Sequence, residues 1–149
     1  MKLNSIINRC IIALVIIVML FVTFWLMNHR GYKIETGGQY EITRPVYLVG
    51  VYKSLNNRQI SRETALGYLE VKHSYKKSTV AFQEKVPTGT IMTIVGPAPK
   101  VWHLFFLPDR YFIKLKPDLS RELDIIIELS RGMEGPLEGF NPEIFARLE

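Results

Sequence analysis

One cysteine, Cys10, is all the thiol the chain carries, and it stands at the start of an apolar run. Nothing after that run contains cysteine, so disulfide staples and thiolate metal sites are excluded there. Any folded domain must therefore rely on its own core. Histidine is almost as scarce: His29, His73 and His103 form no i,i+4 pair and no HExxH, so zinc-hydrolase chemistry lacks its ligand set. GxSxG, GxxxxGKS/T and GxGxxG are also missing, which removes the nucleophile elbow and the usual phosphate cradles. There is no internal repeat, no low-complexity tract and no Asn-x-Ser/Thr sequon, so a solenoid is ruled out and a glycosylated route is disfavoured. These absences name no catalytic residue, no metal site and no cofactor.

What is present begins with the run from Cys10 to Met27, 18 residues without a charge and with Thr23 as its polar member. As a helix it rises roughly 27 Å, close to the hydrocarbon thickness of a bilayer. A core helix in a small domain would keep a polar stripe, and this run has none. Arg9 on one side, and Trp25, His29 and Arg30 on the other, are the residue types that settle at a membrane interface. Lys2 and Arg9 would also suit a cleaved signal peptide. However, the run ends in Phe24-Trp25-Leu26-Met27, and small residues come about ten positions too late for cleavage. The expectation is an uncleaved anchor in contact with lipid through 10–27, preceded by a short tail, 1–9. Positive charge on the two flanks is nearly balanced. A short leading tail usually stays in the cytoplasm, which puts the rest outside it, in a periplasm if the membrane is a bacterial inner membrane.

Residues 28–43 are polar, contain Gly31, Gly37 and Gly38, and read as a stalk. From Arg44 to Glu149 the pattern is of short strands: Val46–Tyr52, Thr79–Gln83, Thr90–Val95, Val101–Leu107, Arg110–Lys116 and Leu123–Leu129. Gly50 marks a bulge or a close approach within the first. In the strand from Arg110, the residues Tyr111, Ile113 and Leu115 read inward, and Arg110, Lys114 and Lys116 outward. The stretch KVPTGTIMTIVGPAP (85–99) resembles the strand openings of small β-barrels. Ser61 to Lys72 offers an N-cap and helical spacing ahead of a strand, and Asn141-Pro142 opens a second short helix. The fold class expected is a single N-terminal transmembrane helix joined to a mainly-β (α+β) domain. That domain would be a small antiparallel barrel or sandwich of about six or seven strands with one or two short helices.

Charge is divided unevenly. Residues 44–100 hold nine Lys/Arg against three Asp/Glu, and residues 101–149 hold six against nine. The basic half contains Lys72, Lys76 and Lys77 around Tyr75, between two strands, a pattern suited to an anionic partner or to plain solvation. Acidic pairs such as Asp109 and Asp118, or Glu122 and Asp124, fall in turns and on an exposed face rather than as catalytic carboxylates. The domain's net charge of +3 and its expected compartment make nucleic acid a poor partner. The functional expectation is a bitopic membrane protein whose module binds a protein partner in an envelope assembly through Lys72, Tyr75, Lys76 and Lys77 or a sheet edge. The alternatives are a membrane-tethered inhibitor of a toxin or enzyme, and an envelope hydrolase.

Overall fold

A computed structural model describes residues 2–29, 34–72, 75–101, 108–130 and 132–149. The chain forms two compact units. The first contains helix α1, Lys2–His29. Within it Ile6–Leu26 is long and apolar enough to cross a membrane, with a mean hydropathy of 2.7 and no part of it buried by protein. It is the one such helix among the described residues. An uncovered helix that is apolar on every side has no aqueous solution to the hydrophobic effect, whereas lipid supplies one. The hydroxyl of Thr23 donates back to the carbonyl of Met19, so the one polar side chain of the run is satisfied within its own helix.

The second unit is the β module, with ten strands among the described residues: β1 Gln39–Ile42, β2 Val46–Tyr52, β3 Ala65–Glu70, β4 Val80–Val86, β5 Ile91–Pro97, β6 Arg110–Lys116, β7 Ile125–Glu128, β8 Glu134–Gly135, β9 Gly139–Phe140 and β10 Phe145–Arg147. Eight form one sheet in the order β10-β1-β5-β6-β7-β3-β2-β4, and β8 pairs with β9. All pairings are antiparallel except β3 with β7, which run parallel. That one parallel contact corrects the all-antiparallel expectation. Both β2 and β4 lie to one side of β3, so its other side receives whatever direction the β5-β6-β7 meander presents.

The sheet is strongly curled, and chain length demands it. β1 and β2 are second and seventh in order, five spacings of about 4.8 Å apart if flat, or roughly 24 Å. The chain has only four steps from Ile42 to Val46, at most about 14 Å. The link from Val86 at the end of β4 to Ile91 at the start of β5 bridges the same five spacings with five steps, at most about 18 Å. Curling brings Tyr40, Ile42, Val46, Leu48, Val86, Met92, Ile113, Ile127, Phe140 and Phe145 into one core. The barrel nevertheless stays open, contrary to expectation, and it has more strands than the sequence suggested. Closure would need β10 to pair with β4, and β10 offers three residues against seven.

Three further corrections concern the pieces between strands. The stretch read as a stalk to residue 43 contains β1, and Ile34 already belongs to the core. Asn141 does cap, its Oδ1 accepting from the Glu143 N–H at 2.9 Å, whereas the Ser61 hydroxyl bonds to that of Thr64 instead; each opens only a single turn. Ala65 N–H donates to the carbonyl of Ser61 at 2.9 Å, and Phe145 N–H to that of Asn141 at 3.0 Å. In both cases the next residues enter a strand, so no helix grows. The segment Val101–Leu107 read as a central strand falls, from 102 to 107, outside the described residues, as do His73 and His103.

Candidate functional site

The β3–β4 connection carries the predicted basic cluster directly into an edge of the sheet. Lys72, Lys76 and Lys77 are exposed, and Thr79 N–H donates to the Lys76 carbonyl at 2.9 Å just before β4 begins. Tyr75 is half-buried instead, its ring 5.5 Å from that of Tyr68. It therefore leans on the sheet, where it lines a cavity of about 10 Å³ with Tyr68, Glu70 and Glu128. That space holds about one water and no substrate.

Among the described residues nothing pairs with the outer side of β4, and the hydrogen bonds of β2 fix which residues face that side. Lys53 N–H donates to Thr64 across β2–β3, and Tyr52 N–H donates to Thr79 across β2–β4. Alternation then turns Val46, Leu48 and Gly50 toward β4. Their partners Val86, Glu84 and Phe82 face inward, so Gln83 and Lys85 present their N–H and C=O groups to the open side. The ladder shifts register between Gly50 and Val51, and a Cβ on Gly50 would come within 2.3 Å of the Phe82 ring. Gly50 is thus the close approach that its position in the sequence implied, while the bulge lies opposite it, with Ala81 the extra residue on β4. On the inner face of β4, Arg121 lies 4.2 Å over the Phe82 ring and pairs with Glu84 at 3.2 Å.

Sequence reasoning missed Arg110. Read as solvated, it is 5% exposed. One guanidinium nitrogen donates to the Pro99 carbonyl at 2.9 Å and the other to the Tyr68 hydroxyl at 2.8 Å. Its Nε stands 3.5 Å from Glu128 Oε2, an ion pair without a hydrogen bond, while Ser130 donates to Oε1 of the same carboxylate at 2.8 Å. Arg110 and Glu128 are direct cross-strand partners, which is the signal that would have found the pair. A charge-balanced network whose adjoining space holds about one water is a brace rather than a substrate site. A second polar cluster ties the module's two ends together. Tyr40 donates to Glu138 at 2.6 Å, Arg147 contacts Glu138 and Glu35, and burial pushes the Tyr40 phenol up from its ordinary value.

The remaining expected positions lie on α1 or just after it. Arg9 and Trp25 are exposed on the helix, His29 is its last residue, and Arg30 lies outside the described residues. Among the described residues no group of His, Cys, Asp and Glu is arranged to hold a metal ion. A cavity of about 700 Å³ opens beside β6 and the loop that follows it, where the hydroxyl and amide of Ser120 hold the Asp118 carboxyl below the usual carboxylate range. No family model, curated protein or solved structure matches the chain.

Proposed function

We propose that the chain is a single-pass membrane protein whose β module, on the extracytoplasmic side, captures a protein partner within an envelope assembly by taking one of its segments onto the free edge of β4. The observation that carries this reading is the open side of a seven-residue edge strand, with Gln83 and Lys85 turned outward. Main-chain pairing along such an edge supplies affinity largely independent of sequence, and side chains beside it supply selection. Lys76 and Lys77 precede β4 and Lys85 is on it, so an extended segment with acidic residues is favoured. α1 holds the module at the bilayer, which raises the effective concentration toward any partner in the same membrane.

The test is a detergent pull-down with two pairs of proline variants. Gln83→Pro and Lys85→Pro remove outward N–H groups, so they should lose the partner while the melt moves little. Phe82→Pro and Glu84→Pro remove N–H groups that bond to β2 and should unfold the module. Undiminished capture by the outward pair would end the edge reading.

A further inference from the structure

We infer that the opening between β6 and the loop 117–124 is a second docking groove, one that receives an extended peptide segment bearing a basic side chain. The sheet itself creates it. β6 continues to Lys116, but its neighbour β7 begins only at Ile125, whose partner is Ile113. The ladder therefore stops with β6 still running.

The direction of the main-chain groups left over follows from the bonds around them. Arg110 offers its carbonyl to Ala98 on the β5 side, and Asp109 offers its own to Leu129 on the β7 side. Alternation along β6 turns Phe112, Lys114 and Lys116 to β5, and Ile113 and Leu115 away from it. Leu115 would meet Leu123 if β7 extended that far. Leu123 N–H is instead spent on the carbonyl of Ser120 at 3.0 Å. Leu115 thus points an N–H and a C=O into the opening, the pair that a docked strand would take.

The walls suit such a segment. The opening measures about 700 Å³, within the usual range for ligand sites. Phe112 and the 44% exposed Val95 give it apolar surface. Its rim carries three carboxylates, Asp118, Glu122 and Asp124, against two cations, Arg62 and Lys114. Arg62 is committed to Asp124, at 2.8 Å and 3.0 Å, which leaves Lys114 against Asp118 and Glu122. Arg121 and Glu122 both hold positive φ, at 52° and 66°, a conformation that keeps the loop turned off the line a continuing strand would follow. The groove's loop touches β4 through Arg121, at Phe82 and Glu84, but it uses neither Gln83 nor Lys85 on the outer edge, so it adds to the proposed function without depending on it.

The test uses the full chain in an uncharged detergent. The probe is a capped hexapeptide of alternating lysine and valine, with its glutamate–valine counterpart as control, followed by amide NMR and calorimetry. The basic peptide should saturate by about 1 mM. It should shift the Leu115 amide, and Glu122→Gln, a change at an exposed carboxylate, should weaken it roughly tenfold. Gln83→Pro should leave this binding unchanged, which separates the groove from the β4 edge. Equal binding of the acidic peptide, perturbations confined to residues away from the groove, or no saturation would overturn the assignment.

Discussion

Single residues show where this fold is compromised and where it is braced. Thr90 is 2% exposed, and its hydroxyl finds no hydrogen-bond partner among the described residues, while its main chain is engaged in the turn before β5. An unsatisfied buried hydroxyl costs about 1–3 kcal/mol, so Thr90→Val, which keeps the shape and removes the polar atom, should raise the melting temperature. A lowered melt would mean that the hydroxyl is bonded after all. Arg110 makes the opposite case. Its outward direction was legible from alternation, but its burial was not, because the groups that cover it, Tyr68 and the Pro99 carbonyl, are 42 and 11 residues away. Periodicity reports which face a residue is on and not what lies over that face.

At the level of elements, β2 and β6 were legible to the residue because each is a seven-residue run bounded by turn signals. β1 was not. Its four residues, QYEI, follow two glycines and resemble linker until β5 and β10 flank them. The two expected helices failed for a related reason: each first turn forms, but the strand pairing that follows outcompetes a second turn. Gly50 gives a direct check on the β2–β4 element. Gly50→Ala forces a methyl group against the Phe82 ring and should destabilise the module by about 1–3 kcal/mol. A smaller side chain in Phe82→Leu should recover part of that loss in the double variant. Additive losses would show that the clash is relieved elsewhere.

For the molecule as a whole, composition separated a membrane-competent helix from a β module, but it did not reveal that the module is an open curled sheet. Openness depends on β10 being shorter than β4, a match between strands 59 or more residues apart that no local pattern encodes. The uncovered apolar surface of Ile6–Leu26 predicts that alkaline extraction leaves the uncleaved chain in the membrane pellet. A shorter soluble species would remove the anchor. The central claim, that a tethered module holds its partner along β4, is tested most directly by photo-crosslinking in native membranes from a reactive residue placed at 83, 85 or, as a control, 114. The account predicts one adduct of the same mass from positions 83 and 85 and none of that mass from 114. An adduct from 114 alone, or none from the β4 edge, would contradict it.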